Sequence, residues 1–280
     1  MDKAIVFGAY EFVGFHLSKK LLERGYEVKG ILFDSSGCNV EEKRLEVGRN
    51  ANLTEKEWEN WDGFKFEQED EKPSLIILSL YDLFMASKEK LLNSETINKW
   101  FFLIDNKEGH QYRIVCLLPI QLLAISIDQD GLKELRFFLE KIKEQGKNVQ
   151  YYYLPSIFGP WQPDTFLFQK FMLNNLNENV VQSESREWCK DAVFVEDAID
   201  TMIEKIESGS IGQFVLKSGK SNRWDECADF LNIDPKFRYI AERGDLILDD
   251  QIVQLLVKNV TPISDSLTKQ KEHLNYLSCL

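Results

Sequence analysis

The chain has 280 residues, of which 44% are hydrophobic, and 46 acidic against 34 basic side chains give a formal charge of -12. That length supports one large core or two unequal lobes and excludes a disordered chain, while the acidic balance excludes a nucleic-acid footprint, which needs clustered Lys and Arg. The longest apolar stretch, Ile114 to Ile127, is too short for a bilayer and carries Pro119 and Gln121, so no membrane segment is expected.

Met1-Asp2-Lys3 leads directly into an apolar run and a glycine turn, unlike a signal peptide, and the expected location is the cytoplasm. Cys38, Cys116, Cys189, Cys227 and Cys279 are scattered with no Cys-x-x-Cys pair and read as reduced structural thiols. His16, His110 and His273 stand apart from any acidic cluster with ligand spacing, so no metal site is expected.

Ala4 to Phe7 is an apolar run ending at Gly8, and Phe12, Val13, Phe15, Leu17, Leu21 and Leu22 then recur at helical spacing. Gly25 stops that helix, and EVKGILFD reads as a second strand ending at Asp34, completing a βαβ start. From Asn39 to Lys72 the chain is acidic, with a short strand candidate at FKFEQ, a solvated EQEDEK run and a stop at Pro73. Ser74 to Leu80 and Tyr112 to Leu118 are continuous apolar runs suited to strands covered on both faces, with a helical segment near Lys88 to Ile104 between them.

Leu132, Leu135, Phe138, Leu139 and Ile142 mark a helix, and VQYYYLP marks the strand after it. The Trp100-Phe101-Phe102 and Phe137-Phe138 clusters read as core and helix packing, with Phe137 outside the core stripe. Beyond Pro160 come a helix over Thr165 to Leu176, a strand at AVFV, a helix over Glu196 to Ile206 and a strand at GQFVLKS. The alternation predicts an α/β chain with a Rossmann-like, doubly wound parallel sheet and a smaller C-terminal α/β substrate lobe. The expected division is 1–158, with 191–218 folding back onto it, against a lobe made of 159–190 and 219–280.

FGAYEFVGFHLSKKLLERGYEV, YYYLPSIFGPWQP, CKDAVFVEDAIDTMI and GQFVLKSGKSNRWDECADFL follow one another in an order similar to that of a known family. With them, the chain resembles a degenerate member of the extended short-chain dehydrogenase/reductase superfamily, the NAD-dependent epimerase/dehydratase group. The resemblance implies a dinucleotide at Gly8, Tyr10, Glu11, Phe12, Val13, Asp34, Ser79, Pro155, Ile157 and Phe158, and a nucleotide-sugar ligand beside it. It also implies a homodimer through the helices near 88–104 and 129–143, an interface to which Phe137 would belong.

That family's chemistry uses a tyrosine with a lysine four residues later and a strand-end hydroxyl. None of the nine tyrosines here has that lysine. Family spacing puts the tyrosine at Asp128 and the lysine at Leu132, with Lys133 about 100° away around the helix. The strand end reads Cys116-Leu117-Leu118-Pro119, with Ser126 nearby. Asp128, Ser126 and Lys133 are thus the remaining candidates for acid–base work.

The cofactor site is altered as well. Gly8 and Gly14 keep two of the three glycine roles of a dinucleotide turn, but Glu11 takes the middle position. A carboxylate about 5 Å from a phosphate charge costs on the order of 3 kcal/mol at an effective dielectric near 20, whereas a solvent-facing acid at a helix start would only favour the helix dipole. The ribose-binding acid falls at Leu32 by family spacing, two residues before Asp34.

The leading expectation is therefore a catalytically inactive binding or regulatory protein, with NAD weakened or lost, no metal, and a protein partner that is unknown. The alternatives are an NAD-dependent epimerase, dehydratase or reductase with relocated acid–base groups, and an interaction protein whose cleft is filled.

Overall fold

Strands that are apolar at every position need cover on both faces, and a parallel sheet between helix layers supplies it. The computed structural model of the chain describes residues 2–33, 39–58, 75–93, 112–124, 131–144, 148–173, 186–235, 238 and 245–278. Its strands are β1 (Lys3–Phe7), β2 (Glu27–Leu32), β3 (Leu53–Glu57), β4 (Leu75–Ser79), β5 (Arg113–Pro119), β6 (Asn148–Leu154), β7 (Ser156–Phe158), β8 (Ala192–Phe194), β9 (Gly212–Lys217) and β10 (Ile252–Leu256). Eight of these form one sheet in the order β10-β9-β6-β5-β4-β1-β2-β3, parallel throughout, and β7 pairs with β8 apart from it.

The helices are α1 (Phe12–Glu23), α2 (Val40–Val47), α3 (Leu80–Met85), α4 (Leu132–Glu144), α5 (Leu167–Leu173), α6 (Val195–Glu207), α7 (Arg223–Phe230) and α8 (Ile263–Ser278). The expected Rossmann-like sheet is present, and two of its strands had no sequence signal. β3 lies inside the acidic stretch with four of its five residues exposed, and β10 extends the sheet beyond β9. The FKFEQ candidate lies outside the described residues, as do Trp100-Phe101-Phe102. Of the Lys88 to Ile104 helix, the described part holds a 3₁₀ turn at Glu89–Asn93. In α4 Phe138 is buried while Phe137 is 54% exposed, with the Lys141 ammonium 4.6 Å from its ring. No helix among the described residues is long and apolar enough to cross a membrane.

α1 is the helix on which the fold turns. Its apolar face is buried, and it ends where Gly25, in the left-handed region at φ +81°, donates to the Leu22 carbonyl while Tyr26 donates to that of Leu21. At its other end it meets the glycine turn so closely that a Cβ on Gly14 would lie 2.1 Å from the Gly8 carbonyl oxygen.

The C-terminal elements are tied down by buried polar groups that find partners. The Glu187 carboxylate accepts from the Ser156 hydroxyl on β7, from the Leu167 N–H at 2.9 Å and from the Trp224 indole at 3.2 Å. Gln270 on α8 donates to Gln162 and Gln169, each at 2.8 Å, and Gln162 donates to the Ile157 carbonyl. Cys116, Cys189 and Cys227 are buried thiols outside any disulfide.

The two glycines of α1 separate close packing from backbone preference. Gly14→Ala forces backbone against backbone and is expected to cost on the order of 3 kcal/mol. Gly25→Ala, with nothing within 4 Å of the added carbon, meets only the left-handed penalty of about 1 kcal/mol. Urea unfolding of both variants checks the difference; equal losses would contradict the contact at Gly14.

Candidate functional site

In an open parallel sheet, ligands enter at the carboxyl ends of the strands where the order reverses. Here that place is the end of β1, between β2 and β4. The structure brings three predicted segments to it: the Gly8 turn with the start of α1, the Ser79 end of β4, and the Ile157 strand after β6.

A helix start leaves N–H groups without intrahelical partners and so attracts anions such as phosphate. At α1 the anion is Asp82 of α3. Its carboxylate accepts from the Val13 N–H at 3.1 Å and the Gly14 N–H at 2.9 Å, and the Ser79 hydroxyl donates to it at 2.7 Å. Asp82 is buried, which pushes its carboxyl up to about 6; the Gly14, Ser79 and Val13 bonds pull against that rise, and the Glu11 charge adds to it. At neutral pH it is a carboxylate seated where a pyrophosphate would meet the helix.

The two sides of this point are packed as well. Toward β2, the Phe33 ring lies over Gly8, so that a Cβ there would sit 2.6 Å from a ring carbon. Trp58 then meets both Phe33 and Phe7 edge-on, at 5.7 Å in each case. Toward β6, the Tyr81 hydroxyl accepts from the Ile157 N–H at 3.1 Å, and Phe166 packs on both Tyr81 and Phe12. Pro155, Ile157 and Phe158 are buried, and the Phe158 ring faces Phe168 and Phe194.

Glu11 stands at the start of α1, as the helix-start expectation has it, but its carboxylate turns to a lysine instead of to open solvent. It takes the cap position of α1 without a side-chain cap bond, and its carboxylate lies 3.6 Å from the Lys88 ammonium beyond α3, 23% exposed. Behind the turn, the buried Lys43 of α2 donates to the Tyr10 carbonyl at 2.7 Å. The Tyr10 hydroxyl is bonded to Glu55 on β3, and burial together with that bond pushes its phenol up.

Asp82, Tyr81, Lys43 and Lys88 carry this arrangement, and sequence reasoning missed all four. One signal was available: Ser79-Leu80-Tyr81-Asp82 has the Ser-x-x-Asp spacing of a helix-start box. The acid turns to the neighbouring helix instead of its own.

No family model matches the chain, and no curated protein matches its sequence. Solved structures match its fold. A UDP-glucuronic acid 4-epimerase from Bacillus cereus, in complex with UDP-glucuronic acid and NAD, gives a TM-score of 0.67 at 14% identity, covering 98% of this chain and 99% of that one. A UDP-N-acetylglucosamine 4-epimerase from Methanobrevibacter ruminantium, in complex with UDP-N-acetylmuramic acid, gives 0.64 at 16% identity, covering 100% and 99%. An NAD-dependent NDP-hexosamine 5,6-dehydratase, TunA, gives 0.65 at 13%, covering 99% and 98%.

The chain has the nucleotide-sugar epimerase fold. Identities this low speak for the epimerase fold alone, and activity has to be argued from the site. On that fold, Leu132 at the expected lysine position is fully buried in α4 while Lys133 beside it is exposed, as the rotation of one helical residue requires. Cys116, Leu117 and Leu118 at the end of β5 are buried and bring no hydroxyl. Asp34, Ser126 and Asp128 lie outside the described residues.

The buried carboxylate has a signature in stability. A folded value near 6 against an unfolded value near 4 means that the native state holds the proton longer, so the Asp82 contribution is present at low pH and is lost as pH rises from 4 through 6. The stability advantage of the wild type over Asp82→Asn should therefore shrink by on the order of 3 kcal/mol between pH 4 and pH 7. Urea titrations across that range measure it, and taking the difference cancels the other buried carboxylates. A pH-independent difference would contradict a buried, titrating Asp82.

Proposed function

We propose that this chain uses the epimerase fold without its redox chemistry, as a binding or regulatory protein whose dinucleotide cleft is closed by its own side chains. The observation that carries the proposal is the Asp82 carboxylate on the Val13 and Gly14 N–H groups. A pyrophosphate brought there meets two disadvantages at once: its hydrogen-bond donors are taken, and a like charge stands beside them. At about 5 Å and an effective dielectric near 20, the charge alone opposes binding by on the order of 3 kcal/mol, about a hundredfold in affinity. As arranged, the cleft does not fit NAD.

Two further features support this reading. The glycines of the turn have an internal use, since Gly14 makes room for the Gly8 carbonyl and Gly8 for the Phe33 ring, so their presence does not require a nucleotide. The chain also has no tyrosine with a lysine four residues on, the pair that lowers a phenol's pKa for proton exchange in hydride chemistry.

Calorimetry of the purified chain with NAD, NADH, NADP and a UDP-sugar, together with an assay of hydride exchange, tests the proposal. The expected result is no saturable dinucleotide binding up to millimolar concentration and no exchange. Tight NAD binding with turnover of a nucleotide sugar would overturn it in favour of an enzyme with relocated acid–base groups.

A further inference from the structure

An open sheet has two edge strands, and each presents a row of N–H and C=O groups with which another chain can pair. Here the edges are β3 and β10, and they differ in chemistry. β3 reads Leu-Thr-Glu-Lys-Glu, whose charges blunt an edge. β10 reads Ile-Val-Gln-Leu-Leu, with no charge, proline or glycine. Among the described residues it pairs with β9 alone, and Val253 and Leu256, on opposite faces of the strand, are 52% and 54% exposed.

The direction of the backbone groups limits what β10 accepts. The Val257 N–H donates to the Lys217 carbonyl of β9 at 3.0 Å. Successive residues of a strand point their polar groups to opposite sides, so Val253 and Leu255 also serve β9, while Gln254 and Leu256 turn theirs to the open edge. The Ile252 N–H turns back to the Asp249 carbonyl at 3.1 Å, and the Ile252 carbonyl stays on the open edge.

A second copy of this chain matches that pattern when its β10 runs antiparallel. An in-register parallel pair would need the odd residues that already serve β9, whereas an antiparallel pair bonds edge-facing residues to edge-facing residues. Centred on Gln254, the two Gln254 residues exchange both N–H···O bonds, and each Leu256 N–H reaches the carbonyl of the partner's Ile252. The same register sets Leu256 beside the partner's Ile252 and Val253 beside the partner's Leu255, each contact occurring twice.

The charges that flank the strand select this register. β10 is preceded by Asp249 and Asp250 and followed by Lys258, all exposed. With Gln254 at the centre, the Asp250 end of each strand comes to the Lys258 end of the other. Lys258 meets Glu204 at 2.6 Å in its own chain, but its side chain is 74% exposed and its ammonium has three donors, enough for a second carboxylate.

We propose that this chain forms a two-fold dimer by antiparallel pairing of β10, joining two sheets into one whose outer edges are both β3. The contact is closed, because it uses the apolar edge of each copy. It differs from the helix pairing that the sequence resemblance implies. β10 and β1 lie far apart in the sheet order, so it is also independent of what the dinucleotide cleft holds.

Sedimentation equilibrium of the full chain from about 5 to about 500 µM, at about 0.15 M salt where only close charge pairs escape screening, tests this. An interface this small should give a monomer–dimer equilibrium with a dissociation constant on the order of 50 µM. Leu256→Lys should weaken it about tenfold or more. Asp250→Lys and Lys258→Asp should each weaken it about tenfold, because each sets like charges together twice, and the double variant should restore it. All three positions are exposed, and circular dichroism with a melting temperature checks that each variant is folded. Phe137→Lys, on α4, should leave the dimer unchanged. A chain that stays monomeric throughout the range would overturn the proposal, as would a dimer that survives Leu256→Lys, is lost in Phe137→Lys, or is not restored in the double variant.

Discussion

One carboxylate joins the two halves of the central crevice. Asp82 is anchored by Ser79 at the end of β4 and reaches across to the first free N–H groups of α1, so the helix that opens the fold and the strand beside it share one ion. Burying that charge is costly, as its raised pKa records, and three donors aimed at it offset only part of the cost. The neighbouring contacts depend on this geometry. Gly14 is held against the Gly8 carbonyl, Phe33 settles over Gly8, and Tyr81 is directed from the same short helix to the Ile157 N–H.

A similar device holds the C-terminal elements. Glu187 gathers donors from β7, the start of α5 and α7, and the Gln270–Gln162–Ile157 relay carries α8 to the same region. In both places a buried polar group with several partners fixes how elements meet, where apolar contact alone would leave more freedom. The two networks approach one another at Ser156 and Ile157, which bond to Glu187 and to Tyr81 respectively.

The parts legible in the sequence are those whose burial repeats along the chain. Leu75–Ser79 and Arg113–Pro119 are apolar at nearly every position because both faces are covered, and α1, α4 and α6 carry clear stripes. β3 was hidden because an edge strand reading Leu-Thr-Glu-Lys-Glu has little to bury, and its charges protect an open edge. The glycine turn was visible, but its reading as a ligand cradle rested on residue identity. The contacts that decide its use come from Asp82 and Lys88, some seventy residues away in sequence. A cavity lined by α1, α2, α6 and α8 was illegible for the same reason, since these four helices each supply only a few residues to it.

Lys43 has a consequence of a different kind. It is a buried ammonium on α2 that holds the Tyr10 carbonyl, with the Phe15 and Trp161 rings each 5.5 Å from it. The glycine turn and the Phe15 and Trp161 rings on the flank of α1 therefore grip the same cation from two sides. A displacement of Trp161 would be felt at the backbone of Tyr10 within one side chain's reach, so the two regions are mechanically neighbours.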